Sequence, residues 1–573
     1  MPYRSPVADY RFILEDVVPM APVRATDRFA EAQEDVMTAV LGEAGRLCDE
    51  VMAPLQRVGD LNPARLENGV VRTPPGFGEA YQAIAEGGWV GISAGQDFGG
   101  MGLPMMAASA LNEMMAGASI SLHLLPLLSQ GQIEALEHHA SDQIKATYLE
   151  KLVSGQWSGT MNLTEPQAGS DVGALRTKAE PQGDGSYKIS GQKIYITWGD
   201  SDFMENVCHL VLARLPDGVP GPKGISLFMV PKFIPTEAGD PGERNSLRVV
   251  SLEHKLGIHG SPTCVMQFDE ATGWLVGEEH NGMACMFTMM NNARLGVGMQ
   301  GIGVAEAAYQ HALAYAMDRT QGKTPLSTEA GGKGTIIDHA DVRRMLTSMK
   351  ADLFAARAIG MACAQASDMG TATGDAAWKA RAALLTPIAK AFGSEVGIDV
   401  CEQGVQIHGG MGFVEETGAA QFSRDVRITT IYEGTNGIQA MDLVARKMMD
   451  GGEAAQALFE EIEQNAEAAK EQFPDLAKAV WHASETLSET TDWLVAQGNL
   501  QDRFAGAVPY LMAFARVLGA HFHLKAAMVG DETRAKVARF YIERLLPQHL
   551  SYVTHARAGA DGIYALSAEE LAA

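Results

Sequence analysis

The sequence predicts an α+β fold in which a compact β-unit lies between helical units. Apolar residues recur at helical spacing up to about residue 156, and again from about residue 281 to the end. From residue 157 to residue 268, short apolar runs separated by Gly- and Asp-containing turns are typical of antiparallel strands. At 573 residues the chain is too long for one core, so two to four structural units are expected.

The chain begins with a predicted arm, residues 1–30, whose apolar anchors stand between prolines and suit packing across another surface. A helical domain is predicted over residues 31–156, where Val36, Val40 and Leu47 recur at helical spacing. Residues 157–280 form the predicted β-unit, a compact antiparallel barrel or sandwich. Its predicted strands span residues 157–164, 175–180, 187–197, 207–215, 225–233, 248–254 and 264–268.

Helical periodicity returns in a predicted helical-bundle domain over residues 281–450, which a Gly- and Thr-rich loop interrupts at residues 320–335. Long helices are predicted over residues 341–369 and 375–401. Residues 451–573 have apolar faces of their own, so they are predicted to form an additional helical domain or a cap.

Charge and cysteine content argue against several classes of function. The formal net charge of -25 disfavours nucleic acid or an anionic membrane as the main partner. The six cysteines form no Cys-x-x-Cys pair and have no His at ligand spacing, which predicts buried, reduced thiols and no metal site. The N-terminus lacks an apolar signal core, and the most apolar run, residues 122–128, is too short to cross a membrane. A cytoplasmic location is therefore expected.

One carboxylate stands out as a candidate catalytic group. Glu433 lies between Tyr432 and a Gly-Thr-Asn-Gly turn, on the approach to an apolar helix. A carboxylate among apolar neighbours is desolvated, which raises its pKa and makes it a better base near neutral pH. The alternative is a helix N-terminal Glu that the helix dipole stabilises.

Two stretches of the β-unit can hold a flat polar ring. Residues 161–171 follow a strand and are dense in hydroxyl and backbone donors, which can bind a ring or a phosphate; a plain polar turn is the alternative. Tyr195 and Thr197 lie two residues apart and therefore on one face of a strand. The aromatic can lean on a heterocycle while the hydroxyl meets a ring atom, although a cross-strand aromatic in a β-core is the alternative.

Residues 296–301 match the pattern G-x-G-x-x-G, but a dinucleotide site also requires a preceding strand within a βαβ unit. Because residues 286–295 continue a helix, these glycines are predicted to serve close helix packing, and a Rossmann site is rejected.

Two further stretches can hold an anion. Arg319 begins a loop in which its guanidinium is well placed to bind phosphate, although a charge at a helix C-terminus is equally plausible. The glycines of residues 406–413 would let the backbone approach a phosphate or an adenine. His408 in this stretch is expected to be hydrogen-bonded to a neighbour rather than catalytic.

Taken in order, these stretches resemble the acyl-CoA dehydrogenase family over about residues 40–450. The motifs that carry the resemblance are Thr164-Glu165-Pro166 with Gly169-Ser170-Asp171, Tyr195-Ile196-Thr197, Arg294, Arg319, Gln406 with Gly409-Gly410, and Tyr432-Glu433-Gly434-Thr435. The resemblance implies a helical domain, a central antiparallel β-barrel domain and a four-helix-bundle domain. Residues 451–573 would then be the additional helical domain of the longer members.

The resemblance also implies FAD as the cofactor and Glu433 as the base that removes a proton α to a thioester. The implied FAD contacts are Met161, Leu163, Thr164, Gly169, Ser170, Tyr195, Thr197, Arg319, Thr320, Gln321, Gln406, Gly409, Gly410, Thr435 and Gly437. The implied substrate contacts are Ser170, Asn291, Arg294 and Gly434. Three positions depart from common family residues, with Tyr195 in place of Trp, Asn291 in place of Asp and Gly437 in place of Gln.

Within the family, residues 3–10 and 409–413 are most similar to the branch that oxidises 3-methylmercaptopropionyl-CoA, which makes this thioester the expected substrate. The alternative is a saturated short- to long-chain fatty acyl-CoA. An acyl-CoA oxidase and a nucleic-acid-binding relative rank below these two. The resemblance further implies an electron-transfer flavoprotein as electron acceptor and a homodimer, with a tetramer as the other assembly.

Overall fold

The computed structural model describes residues 3–329 and 334–573. They divide into two compact units. We call Glu43–Ala293 the mixed unit; the helical unit contains Arg294–Ala573 and the N-terminal segment up to Gly42. The boundaries of the five predicted segments stay a prediction, and residues 330–333 of the predicted loop lie outside the described residues.

Seven α-helices and a small hairpin precede the main sheet among the described residues. The helices are Val7–Phe12 (α1), Ala21–Arg24 (α2), Glu34–Leu47 (α3), Leu55–Leu61 (α4), Phe77–Glu86 (α5), Met105–His139 (α6) and Asp142–Val153 (α7). The hairpin strands are Arg65–Glu67 (β1) and Val70–Arg72 (β2). Most of α6 is buried, in agreement with its continuous apolar sequence.

The remaining strands include the predicted barrel. They are Trp157–Asn162 (β3), Lys178–Pro181 (β4), Ser186–Thr197 (β5), Asn206–Arg214 (β6), Ile225–Pro231 (β7), Phe233–Pro235 (β8), Pro241–Arg244 (β9), Leu247–Leu252 (β10) and Thr263–Val276 (β11). The pairings β11–β5–β4–β6–β7–β11 close a ring, and β10 and β3 extend it. Inward-facing apolar side chains such as Ile189, Val211 and Phe228 fill its core.

The barrel is antiparallel, as predicted, at every pairing except those of β6 with β3 and with the end of β4, which are parallel. Hairpins join antiparallel neighbours, whereas parallel strands need a longer crossover. The chain from β3 to β6 passes through β4 and β5, so it makes such a crossover.

The described residues after β11 are mainly helical. The helices are Gly282–Asp318 (α8), Pro325–Glu329 (α9), Ala340–Thr373 (α10), Ala376–His408 (α11), Ala419–Val426 (α12), Asn436–Ala445 (α13), Glu453–Ala469 (α14), Pro474–Ala496 (α15), Leu500–Ala505 (α16), Ala507–Val529 (α17), Glu532–Phe540 (α18), Gln548–Ala556 (α19) and Ala568–Ala572 (α20). The buried ion pair of Arg516 with Asp352 joins α17 to α10, so the C-terminal helices share the core of the helical unit.

The glycines of residues 296–301 serve helix packing, as predicted. A Cβ at Gly298 would lie 2.7 Å from the carbonyl oxygen of Ala389, and one at Gly301 would lie 2.5 Å from that of Gly393. Gly393 is equally close to α8, because a Cβ added there would lie 2.6 Å from the carbonyl oxygen of Gly298. The backbones of α8 and α11 therefore come into direct contact at these glycines.

The N-terminal arm packs against α10 within the helical unit. Tyr10, Ile13 and Val17 are fully buried, and the side-chain amide of Gln365 donates to the carbonyl oxygen of Pro19 at 2.7 Å. All six cysteines are buried, as predicted. Among the residues that the structure describes, no helix combines the length and the apolar character needed to cross a membrane.

Candidate active site

Glu433 occupies a strained turn directly before α13. Its φ is +57° and that of Gly434 is +84°, so both residues have left-handed backbones. This conformation costs a non-glycine residue about 1–3 kcal/mol and persists only where surrounding contacts enforce it. Here the Gln439 side-chain amide donates to the Glu433 carbonyl oxygen at 3.1 Å, and Thr435 caps α13 by accepting from the Ile438 N–H at 3.3 Å.

Burial raises the pKa of the half-buried Glu433 carboxyl to about 7, although the charges of Arg294 and Lys390 oppose the shift. The raised pKa agrees with the predicted desolvation, and the role of Glu433 as a base stays a prediction. Arg294 lies on α8 and is 6% exposed, while Lys390 lies on α11 and is completely buried. A carboxyl group that titrates near neutral pH is well suited to accept a proton.

A polar cluster from α11 fixes the turn that carries Glu433. The Lys390 ammonium donates to Asn436 Oδ1 at 2.8 Å, and the Ser394 hydroxyl donates to the same atom at 3.1 Å. Asn436 Nδ2 in turn donates to Glu395 Oε1 at 2.7 Å. Sequence reasoning missed Lys390 and Asn436 as site residues. The sequence feature that could have identified Lys390 is its position within the apolar run Leu384–Phe392 of a predicted helix.

The aromatic neighbour of the candidate base is also anchored. The Tyr432 hydroxyl forms a hydrogen bond with Gln300 Oε1, and Gln300 is completely buried on α8. Residues 296–301 therefore do more than pack helices, because Gln300 also anchors the residue next to Glu433.

Arg294 lies near acidic groups of the helical unit. Its Nη1 atom is 3.7 Å from Asp442 Oδ2, and Arg446 holds the other oxygen of Asp442 at 2.5 Å. Asn291 lies three residues earlier on α8 and is exposed. The predicted substrate contacts of Arg294 and Asn291 stay predictions.

In the mixed unit, Glu165 is the centre of the predicted ring-binding loop. Its carboxylate accepts hydrogen bonds from the backbone N–H groups of Arg176 and Thr177 at 2.7 and 3.0 Å, and from the Thr177 hydroxyl at 2.6 Å. It also accepts from Gln167 Nε2 at 2.6 Å and from Lys193 Nζ at 2.9 Å. Glu165 therefore shapes the loop from inside.

A β-bulge interrupts β5 between Lys193 and Ile196 and changes the direction of the side chains around it. The register with β11 shifts between the pairs Cys264–Ile196 and Met266–Lys193, and Tyr195 has a φ of +59°. Lys193 is buried beneath the loop, yet Tyr195, two residues later, is 61% exposed. Because a bulge inserts one extra residue, it redirects the side chains that follow it.

Beyond the bulge, burial alternates so that Tyr195 and Thr197 share the more accessible face of β5, as predicted. The N–H of Ile194 donates to the Thr164 carbonyl oxygen at 2.9 Å, and Lys193 Nζ donates to the Leu163 carbonyl oxygen at 2.9 Å. The structure thus brings the predicted ring contacts Leu163 and Thr164 next to β5. Met161 lies within β3, and Gly169 and Ser170 are exposed.

The two predicted anion-binding stretches lie at adjacent helix ends. The rings of Tyr315 on α8 and His408 on α11 stack with centroids 4.4 Å apart. Arg319, Thr320 and Gln321 follow α8, Gln406 lies in the last turn of α11, Gly409 and Gly410 follow α11, and all six are exposed. His408 Nδ1 contacts the Gly404 carbonyl oxygen at 2.7 Å, which is the predicted hydrogen bond to a neighbour.

The donor set of these stretches fits FAD. Threonine hydroxyls at positions 164 and 197 suit a polar ring, and the exposed guanidinium of Arg319 suits a pyrophosphate. A Cβ at Gly169 or at Gly410 would meet no atom of this chain within 4 Å, so a ligand can approach the backbone at both positions.

Four family descriptions match the chain in sequence order. Residues 35–156, 160–271 and 280–449 match the N-terminal, middle and C-terminal domains of acyl-CoA dehydrogenase. Residues 458–567 match a domain described as acetyl-CoA dehydrogenase C-terminal like. The family descriptions therefore also include the C-terminal helices.

Two curated relatives match nearly the full chain. The 3-methylmercaptopropionyl-CoA dehydrogenase of Ruegeria pomeroyi is 46% identical over 525 residues, which cover 89% of this chain and 88% of the relative. The broad-specificity linear acyl-CoA dehydrogenase FadE5 of Mycobacterium tuberculosis is 35% identical and covers 95% of this chain and 96% of the relative.

Solved structures agree on the fold. Caenorhabditis elegans ACDH-11 in complex with C11-CoA superposes with a TM-score of 0.80 at 19% identity, covering 95% of this chain and 92% of that chain. The acyl-CoA dehydrogenase of Bacillus anthracis complexed with FAD has a TM-score of 0.71 at 20% identity, covering 92% and 89%. The predicted α+β fold class is confirmed, and the chain belongs to the acyl-CoA dehydrogenase family as an FAD-dependent oxidoreductase.

Proposed function

We propose that Glu433 is the catalytic base of an α,β-dehydrogenation that converts an acyl-CoA thioester to the trans-2-enoyl-CoA. The observation that carries the proposal is a carboxylate held in a left-handed turn, with a pKa that burial raises to about 7. The thioester carbonyl acidifies the adjacent C–H bond, so a base of this strength can remove its proton once water is excluded.

The chain's own groups handle the proton and the developing charge. The Glu433 carboxylate accepts the α-proton, and the backbone N–H of Glu433 donates to the thioester oxygen as enolate charge develops. Arg294 and Lys390 favour the ionised carboxylate before the reaction, because opposite charges stabilise it. When bound, FAD supplies the acceptor for the β-hydride.

The proposed FAD contacts are the residues that the family resemblance implies. Met161, Leu163, Thr164, Tyr195 and Thr197 would hold the flavin ring, and the exposed Gly169 and Ser170 would lie by the pyrophosphate. The remaining proposed contacts are Arg319, Thr320, Gln321, Gln406, Gly409, Gly410, Thr435 and Gly437. The proposed substrate contacts are Ser170, Asn291, Arg294 and Gly434.

The proposed substrate is 3-methylmercaptopropionyl-CoA. Identity of 46% to the Ruegeria pomeroyi relative over most of both chains supports this choice. A linear saturated acyl-CoA is the second candidate, because relatives at 35% and 33% identity are named as broad-specificity linear acyl-CoA and butyryl-CoA dehydrogenases. Dye-linked assays with 3-methylmercaptopropionyl-, butyryl-, octanoyl- and palmitoyl-CoA separate the two. The narrow assignment fails if the first is no better a substrate than butyryl-CoA.

We also propose an electron-transfer flavoprotein as electron acceptor, a homodimeric assembly and a cytoplasmic location. Six buried cysteines without a disulfide suit a reducing compartment. Turnover with oxygen as the sole acceptor would instead indicate an acyl-CoA oxidase. Light scattering of the FAD-loaded protein measures the assembly, and a tetramer would contradict the dimer.

Glu433→Gln tests the assigned base directly. The amide nearly preserves the shape of the carboxyl group but cannot accept the proton, so the variant should bind FAD and substrate without bleaching the flavin absorbance. Stopped-flow mixing with substrate under anaerobic conditions measures the bleaching. Bleaching at the wild-type rate would overturn the assignment.

A further inference from the structure

We propose that Lys390 is a positioning residue for the Glu433 base, acting through Asn436 on the turn and through its charge on the carboxylate. The inference rests on the proposed function of Glu433. It concerns a buried cation that touches neither the reacting carbon nor the cofactor in the scheme above.

The geometry supports a role in fixing the turn. Lys390 lies in the middle of α11, is 0% exposed, and donates to Asn436 Oδ1 at 2.8 Å. Asn436 is the first residue of α13 and lies three residues after Glu433. Ser394 and Glu395 also form hydrogen bonds with the Asn436 side-chain amide, at 3.1 and 2.7 Å. Three residues of α11 therefore hold the start of α13 in place.

The charge of Lys390 is costly to bury, which indicates that it serves more than packing. An unpaired buried ammonium is strongly disfavoured, and an uncharged side chain would fill the same space without this penalty. Burial lowers the pKa of Lys390 to about 8, and the nearby carboxylates of Glu433 and Glu395 oppose this shift. At neutral pH the side chain therefore remains mainly protonated beside the base.

Charged and titratable groups reach this region from α8, from α11 and from the segment around α13. Arg294 is contributed by α8, and Lys390 and Glu395 by α11. Asp442 is contributed by α13, Arg446 follows that helix directly, and Tyr432 precedes the base in the chain. Asp442 is engaged by Arg446 and lies near Arg294, so part of the Arg294 charge is already balanced. Lys390 donates a direct hydrogen bond to the segment that follows Glu433.

The test compares the pH profile of flavin bleaching in Lys390→Met with that in Lys379→Met. Lys379 is exposed on the same helix, so its replacement removes the same net charge far from the cluster. Loss of the Lys390 cation should raise the apparent pKa of the bleaching rate by about one unit. The rate should then fall about fivefold at pH 7, because a smaller fraction of the base is ionised, and approach that of the control at pH 9.

Two more variants separate charge from position. Asn436→Ala keeps the cation but cuts its link to the turn, so the rate should fall by a similar factor at every pH with an unchanged apparent pKa. Lys390→Gln keeps a donor for Asn436 without the charge, so it should show the pKa shift, and it replaces Lys390→Met if that variant does not hold FAD.

The outcomes separate this inference from the proposed function. If the wild type titrates near pH 7 while Lys390→Met and Lys390→Gln follow the Lys379→Met profile, the role of Lys390 is refuted and the base assignment stands. If Glu433→Gln bleaches normally, the proposed function itself fails.

Discussion

The ammonium of Lys193 lies 2.9 Å from the carboxylate of Glu165, and the two side chains are 0% and 3% exposed. Burial alone would raise the pKa of Glu165, but Lys193, Thr177 and the N–H of Arg176 hold it at about 2. This ion pair connects the predicted ring-binding loop to the strand that presents Tyr195 and Thr197. The ion pair therefore helps to hold the loop against the strand.

Breaking this pair should destabilise the protein strongly. Lys193→Met leaves the buried carboxylate without its counter-charge, which costs about 3 kcal/mol. Arg46→Met removes a solvent-exposed pair with Glu43 and should cost much less, because water already screens that pair. The thermal unfolding midpoints of the two variants measure the difference. Equal midpoints would contradict a structural role for the pair, and Glu165→Gln combined with Lys193→Met should recover part of the loss.

The rate of flavin bleaching in the wild type should rise with pH through about 7. Burial raises the pKa of Glu433 to that value, and only the ionised carboxylate can accept the α-proton. Anaerobic stopped-flow measurements from pH 5.5 to pH 9 give the profile. A rate that is flat between pH 6 and pH 8 would show that Glu433 does not titrate there or is not the base.

The same group links stability to pH in the opposite sense. The folded-state pKa of Glu433 lies above the reference value of 4.5, so the folded protein binds this proton more tightly than the unfolded chain. Its stabilising contribution is fully present below pH 4.5 and is lost as pH rises towards and through about 7. Raising the pH from 5 to 8 should therefore shift the unfolding midpoint of Glu433→Gln upward relative to the wild type. An unchanged difference would contradict the raised pKa.

The close contact between α8 and α11 predicts that one added methyl group at Gly301 destabilises the protein. Gly301→Ala places a Cβ 2.5 Å from the carbonyl oxygen of Gly393, so the helices must separate at a cost of about 1–3 kcal/mol. Gly42→Ala on α3 is the matched control, because its Cβ meets no atom within 4 Å. The control should be neutral or slightly stabilising, since alanine favours the helix. Similar unfolding midpoints for both variants would refute the close contact.

A bulky residue at Gly410 should reduce FAD content without unfolding the chain. The position is open, since an added Cβ would meet no atom of this chain within 4 Å, and the backbone is proposed to approach FAD there. Gly410→Val should lower the flavin-to-protein absorbance ratio, while Gly562→Val, which is equally open, should leave it unchanged. Full flavin occupancy in Gly410→Val would exclude this contact.

Much of the fold could be predicted because it depends on local patterns. The predicted strand at residues 187–197 is observed as Ser186–Thr197, and the predicted helix at 341–369 as Ala340–Thr373. The last predicted strand was too short, since β11 continues to Val276. Its register shifts between Phe268 and Ala271, where Glu270 has a φ of +56°, so a bulge interrupts the alternation on which the prediction relied.

By itself, the sequence determined the order of helical and β segments, the packing role of the glycines in α8 and the candidate base at Glu433. These features can be recognised in short stretches of the chain, because they depend on local periodicity and residue chemistry. The tertiary structure decided the parallel pairing of β3 with β6, the partnership of Glu165 with Lys193 and that of Lys390 with Asn436. These partners are 28 and 46 residues apart in the chain, and only folding brings them together. A local pattern shows that a buried charge needs a partner, but three-dimensional packing selects which one.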